Sequence, residues 1–174
     1  EKNLSASFMN VPRSLQGTLA ALRADGYQVT VPASEEQLLP RLQRLLAPYY
    51  RDGQLEALVE ENLAELLPVS RYREWVGTLP AAVREELREH WGEPEDSAMV
   101  LRRDGEAFFV VPRLMQGNVA ILPQPPRGEK WDDKEKALYH STHAGPSHFF
   151  LATYLWAREQ QATDAIVHYG THGI

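Results

Sequence analysis

The sequence predicts an α/β fold: a mostly parallel sheet flanked by helices, with a helical hairpin insertion and a small β-hairpin. Three observations predict it. The apolar run Ala165-Ile166-Val167 stops abruptly at a polar loop, so 164–168 reads as a strand buried on both faces. The second half runs strand, long loop, helix, strand, which is the order of an α/β unit. Two leucine-rich amphipathic segments, at 38–49 and 54–67, sit between strand-like stretches.

The elements follow in order. Leu15, Leu19 and Leu22 recur at helical spacing, and Asp25-Gly26 supplies a stop, so 14–25 is a predicted helix. The stretch 27–31 alternates and ends at Pro32, as a short strand does. Pro40 conflicts with a helix opening at Ser34, because a proline past the first turn removes a backbone bond. The first leucine-rich helix is therefore placed from about Pro40. Pro48 and Asp52-Gly53 separate it from the second, which Pro68 ends, and the pair reads as a helical hairpin. Thr78-Leu79-Pro80 opens a further helix with Val83, Leu87 and Trp91 on one face and Gly92 beyond. Residues 93–97 form a polar turn. Segments 98–102 and 107–111 flank Arg103-Asp104-Gly105 as a β-hairpin. A strand follows at 118–122, then a Pro-, Gly- and charge-rich loop over 123–136. Gly145-Pro146 opens a helix over 147–160. Three regions result: 1–37, the end of an α/β unit; 38–92, helical; and 93–174, an α/β segment holding most histidines.

Composition narrows the function. The chain has 174 residues, is 43% hydrophobic, and carries a net charge of −6 with a pI near 5.5. That balance argues against non-specific nucleic-acid binding, which needs a basic face. No apolar run approaches the roughly 18 residues of a membrane span. With no cysteine there is no disulfide and no thiolate metal site, which fits a reducing cytoplasm. There is no Gly-x-x-x-x-Gly-Lys-Ser/Thr loop, no Gly-x-Ser-x-Gly elbow and no cysteine nucleophile.

Five of the six histidines fall between positions 140 and 172. Four-residue spacing would put His168 and His172 on one helix face, but Gly170 and Gly173 argue against a helix. On a strand-to-loop turn both rings can still face one pocket, and neutral imidazole suits cobalt, nickel or zinc. The alternative is a hydrogen-bonded sheet histidine and a loop histidine. His148 lies in the first turn of the 147–160 helix. There it is either a metal ligand or a partly buried helix-start residue. In the loop Gln116-Gly117-Asn118 … Gln124-Pro125-Pro126-Arg127-Gly128, the Arg127 fork can pair with a carboxylate, and Gly128 lets the chain turn. The other reading is a plain Pro-rich surface turn. His140 and His143 read as solvated.

Taken together, these motifs resemble the large subunit of class I chelatases, the CobN-type cobaltochelatases, and are similar to the magnesium chelatase H subunit. The resemblance covers nearly the whole chain. It rests on Ala6 to Pro12 with Asp25-Gly26-Tyr27, on the helical segment from Tyr72 through Trp91-Gly92-Glu93-Pro94, on Gly117-Asn118-Val119 with Gln124-Pro125-Pro126-Arg127-Gly128, and on the block from Tyr139 through His148 to His168-Tyr169-Gly170-Thr171-His172-Gly173. Arg127 and the Pro-Pro pair favour the cobalt type. Two departures stand out. The family carries adjacent histidines where this chain has His148-Phe149, and its last block continues into Leu-Glu and a Pro-Gly-Lys stretch.

The resemblance implies an internal segment of a tetrapyrrole-binding subunit, inactive by itself. Its parent would insert a divalent metal, foremost cobalt into the corrin precursor hydrogenobyrinic acid a,c-diamide in cobalamin biosynthesis, with magnesium as the alternative. ATP would be hydrolysed by AAA+ ATPase and adaptor subunits. The resemblance places His168 and His172 at the metal or macrocycle as catalytic groups, His148 beside them as a ligand, and Gln124, Arg127, Gly128 and Asn118 on the substrate. A haem dechelatase relative and a non-enzymatic tetrapyrrole- or metal-binding module are the other expectations.

Overall fold

The structure is a computed structural model that describes residues 5–6, 9–128 and 145–169. Two short strands, β1 (Ser5–Ala6) and β2 (Met9–Asn10), pair antiparallel at the start. Asn10 then caps α1 (Val11–Ala24), its side-chain oxygen accepting from the Arg13 N–H at 3.1 Å. Pro12 sits in the first turn, where its missing N–H costs nothing. The predicted helix is present and begins three residues earlier than its leucine spacing suggests.

The stretch 27–31 is not a strand. Val29 is buried, but two backbone hydrogen bonds join the segment to the β6–β7 hairpin, Thr30 N–H to Gln116 O and Asn118 N–H to Gln28 O, while the Tyr27 N–H turns back to Leu22 O. Its neighbour is a hairpin tip, too short to build a ladder.

Helix α2 (Glu35–Tyr50) opens at Glu35, not near Pro40. Leu38, Leu42, Leu45 and Tyr49 are all buried on one stripe, and only a helix running back past Pro40 keeps Leu38 in it. An interior proline costs about 3 kcal/mol, and burying one leucine returns about 1.5–3 kcal/mol, so the stripe offsets the lost bond.

The second half of the expected helical hairpin is also different. Helix α3 (Leu55–Glu60) stops early, Asn62 turns with φ 54°, and β3 (Ala64–Pro68) follows. Leu63, Leu66 and Leu67 fit a helical period, yet Leu66 and Leu67 enter a strand paired with residues 108–112, and Leu63 stands just before it, because distant residues decide. The buried Arg113 donates to Asn62 Oδ1 at 2.7 Å and to Glu65 Oε1 at 2.6 Å, while its backbone N–H donates to Leu63 O at 2.8 Å. Tertiary contact here overrides local propensity.

Helices α4 (Val69–Gly77) and α5 (Ala81–Trp91) come next, the latter on the predicted residues and ending at Gly92. A short 3-10 turn, Pro94–Asp96, leads to β4 (Val100–Arg103) and β5 (Glu106–Pro112). These two form the expected hairpin, with positive φ at both turn residues, Asp104 and Gly105. A second hairpin joins β6 (Leu114–Gln116) to β7 (Val119–Ile121). The last helix, α6 (His148–Leu155), continues as a π turn through Trp156–Gln160, matching the predicted helix.

The expected parallel sheet is not what the described residues form. Every pairing among them is antiparallel, and the largest sheet has the order β3-β5-β4. Alternation along it sorts two cores. Leu67, Met99, Phe109 and Val111 face α4 and α6, where Tyr72, Phe149, Ala152 and Trp156 pack. Ala64, Leu101 and Val110 face α2 and α3, against Leu38, Leu42, Leu45 and Leu58. An antiparallel strand covered on both faces reads as continuously apolar, as a parallel one does, so the run itself could not tell them apart.

The predicted strand at 164–168 is likewise absent. Ile166 is 50% and Val167 78% exposed, and no described strand lies alongside. An apolar run becomes a strand only when a neighbouring backbone receives its N–H and C=O groups.

Replacing Arg113 with Ala should lower stability by about 2 kcal/mol, the scale of buried hydrogen bonds to a charged group. Urea unfolding would show the loss, and an unchanged midpoint would mean that the Asn62 turn holds without the guanidinium.

Candidate functional site

Helix α6 is the element on which the predicted site residues converge. Its start is fixed by Ser147, whose hydroxyl accepts from the Phe150 N–H at 3.3 Å as an N-cap. The same hydroxyl donates to Gly128 O at 3.0 Å, and the Ser147 N–H donates to Arg127 O at 2.8 Å. One serine thereby ties the Pro-Pro-Arg-Gly stretch to the helix. Pro125, Pro126 and Gly128 are buried, while the side chains of Gln124 and Arg127 are exposed.

His148 is 3% exposed and engaged at both nitrogens. Nε2 lies 3.1 Å from Gly92 O, and Nδ1 lies 2.9 Å from the Tyr72 hydroxyl. A carbonyl only accepts, so Nε2 carries the hydrogen. In the neutral ring Nδ1 is then a lone pair that takes the Tyr72 O–H. The rings of Tyr72 and His148 meet edge to face at 5.6 Å. Gly92 has φ 71°, and this left-handed conformation turns its carbonyl toward the histidine; an L side chain there is strained. Trp91 adds a parallel tie, its Nε1–H donating to Gly145 O at 3.1 Å. The Trp-Gly motif and the histidine helix, far apart in sequence, thus close on each other. A metal ion at His148 would have to displace Tyr72 or Gly92.

Ion pairs brace this corner. Arg73 on α4 donates to Glu93 at 2.7 Å and to Glu95 at 3.0 Å, on the turn following Gly92. The Arg73 hydrogen bond holds the Glu95 carboxyl below the usual carboxylate range.

The outward face of α6 carries Phe150 and Tyr154, one turn apart, with ring centroids 5.1 Å from each other. His168 reaches the same face, its ring 6.1 Å from Tyr154. Gln124 Nε2 lies 3.4 Å from the Tyr154 hydroxyl, a long donor contact. Two predicted site residues, Gln124 and His168, are therefore brought to one phenol.

Asn118 stands apart. It lies on the β6–β7 turn, exposed, its N–H bonded to Gln28 O at 2.8 Å. At the neighbouring Gly117, φ is 66° and an added Cβ would fall 2.3 Å from Gln28 O, so the turn admits only glycine. His172, with His140 and His143, lies outside the described residues. Among the described residues no three His, Asp or Glu side chains group to hold a metal. None of the described helices is long and apolar enough to cross a membrane.

Sequence reasoning missed Tyr72, Gly92 O, Ser147, Phe150 and Tyr154. Ser147 carried a readable signal, a serine just before a helix start. Phe150 and Tyr154 share an i, i+4 face with Arg158. Tyr72 opens a family-like segment, but nothing in the sequence signals its bond to a partner 76 residues away.

The family model described as CobN/Magnesium Chelatase matches residues 1–174. A protein of Methanocaldococcus jannaschii without assigned function is 30% identical over 99% of this chain and 14% of its own length. The aerobic cobaltochelatase subunit CobN of Pseudomonas aeruginosa is 34% identical over 95% of the chain and 12% of its own. The magnesium-chelatase H subunit of Rhodobacter capsulatus is 30% identical over 97% and 13%. The chain thus spans about one eighth of the curated relatives it matches.

Two outcomes follow from the clamp. Tyr72→Phe should cost about 1 kcal/mol in urea unfolding, the net value of one buried hydrogen bond; no loss would mean that the bond contributes nothing. Glu95 has a lowered folded-state pKa, so its contribution is complete above the ordinary glutamate value of about 4.3 and fades as pH falls through the folded value. Glu95→Gln should flatten stability against pH below about 4.3; an unaltered acid limb would contradict the assignment.

Proposed function

We propose that this chain, which belongs to the CobN/magnesium chelatase family, supplies part of the site where a class I chelatase holds its tetrapyrrole and delivers a divalent metal. The observation that carries the proposal is the meeting of Gln124, Tyr154 and His168 on one face of α6. The metal is a substrate. Its insertion releases two protons from ring nitrogens, so the site needs proton acceptors and a weak ligand that lets the metal go. Imidazole meets both needs, and the chain offers no thiolate to trap the ion.

In this reading His168 and His172 hold the incoming metal and take up the protons. Gln124 hydrogen-bonds a peripheral substituent, and Arg127 pairs with a carboxylate through its planar fork. Gly128 shapes the loop that carries those two, and Asn118 meets the substrate from the separate β6–β7 turn. His148 acts from behind, fixing the start of α6 through Tyr72 and Gly92. Cobalt, inserted into hydrogenobyrinic acid a,c-diamide, is the preferred metal. The 34% identity to the cobaltochelatase subunit, against 30% to the magnesium one, supports it. AAA+ ATPase and adaptor partners supply the work of ATP hydrolysis.

His172→Ala in the complete polypeptide, assayed with its partner subunits, should abolish metal insertion and leave the circular dichroism spectrum unchanged. Undiminished insertion would end the proposal.

A further inference from the structure

The geometry points to a macrocycle-stacking platform made by Phe150 and Tyr154, with Arg127 at one end as the recognition point for a peripheral carboxylate. This inference deepens the chelatase reading and rests on it. Phe150 and Tyr154 are the aromatic side chains of α6 that turn away from the core. Phe149 is fully buried between Tyr49 and the sheet, whereas Phe150 and Tyr154 are only half-buried. Their rings lie 5.1 Å apart at 40°, and His168 extends the row at 6.1 Å and 43° from Tyr154. Such a row presents π surface without a fixed hydrogen-bond pattern, which suits a flat conjugated ligand.

The segment 124–128 runs antiparallel to the helix beside this row. Gln124 touches Tyr154, and Arg127 is anchored by its carbonyl at Ser147, seven residues earlier. That separation is about 10 Å along the helix axis. The face is thus aromatic along the helix, with the Gln124 amide at one end and the backbone of the exposed Arg127 held at the other. No described carboxylate pairs with the exposed Arg127, in a chain whose net charge is −6. Gln124 donates to the phenolic oxygen, leaving the Tyr154 hydroxyl proton free for an acceptor on the ligand. A planar tetrapyrrole with peripheral carboxylates matches each part: ring plane to Phe150 and Tyr154, carboxylate to Arg127. The same placement would bring the ring centre within reach of His168.

Free-base deuteroporphyrin IX, titrated into the complete polypeptide and followed by its Soret band, tests this. Tyr154→Leu and Phe150→Leu should each weaken binding about tenfold, the effect of losing one stacked ring. Tyr154→Phe, which keeps the ring, should retain most of the affinity and controls for folding. Arg127→Gln should weaken the diacid and not its dimethyl ester. Wild-type affinity in both leucine variants would overturn the platform, and the chelatase reading would survive if metal insertion still depended on His172. A self-association that the leucine variants abolish, with porphyrin affinity intact, would also overturn it, in favour of a second copy as the occupant. No binding of porphyrin by the wild type would overturn the platform, while the chelatase reading, whose preferred substrate is a corrin precursor, would stand or fall on the His172 assay.

Discussion

One buried imidazole sets the geometry of the α6 corner. His148 donates through Nε2 to the Gly92 carbonyl and receives the Tyr72 hydroxyl at Nδ1, joining residues 56 and 76 positions away in sequence. Helix α4, the end of α5 and the start of α6 are tied at a single side chain. Both nitrogens are satisfied, and among the described residues no buried side-chain nitrogen or oxygen lacks a partner. An unmet group at this depth would cost about 1–3 kcal/mol, so the corner is rigid because its polar atoms have nowhere better to go. Trp91 and Ser147 then hold the chain on either side, at Gly145 and at Arg127-Gly128.

The corner separates two kinds of surface on one short helix. The inner face of α6, with Phe149, Ala152 and Trp156, closes the core over β5. The outer face carries rings, an amide and an accessible histidine. Chemistry that handles a flat hydrophobic ligand and a hydrated ion needs such a division: a backing that does not move, and a front that offers π surface and weak ligands. The prolines of the Gln-Pro-Pro-Arg-Gly stretch serve the same end, since Pro125 and Pro126 are buried and leave Gln124 and Arg127 turned outward.

The sequence made the local features legible. The helix stops at Asp25-Gly26 and Gly92, the Pro80 start of α5, the Asp104-Gly105 hairpin and the 147–160 helix all rest on nearest-neighbour chemistry and stand where their residues put them. Features set by distant partners were not legible. Leu63, Leu66 and Leu67 fit a helical stripe, and the pairing of 64–68 with β5, with Arg113 holding the Asn62 turn about 50 residues away, makes Leu66 and Leu67 part of a strand. Pro40 argued for a late helix start, and the burial of Leu38 outweighs it. The stretch 164–168 has the composition of a buried strand without a neighbour to pair with among the described residues. At the site, Gln124 and His168 were recognisable by residue type and motif, and their common contact was not. Tyr154 gains its meaning only once the helix has a direction, and Tyr72 could be found as a partner of His148 only through the fold.

The most direct test is an experimental structure of the complete polypeptide with a free-base tetrapyrrole bound. The macrocycle should stack over Phe150 and Tyr154, with a peripheral carboxylate at Arg127 and His168 facing the ring centre, while His148 stays bonded to Tyr72 and Gly92. A macrocycle seated away from the outer face of α6 would contradict this arrangement, as would a metal or ring nitrogen bound directly to His148.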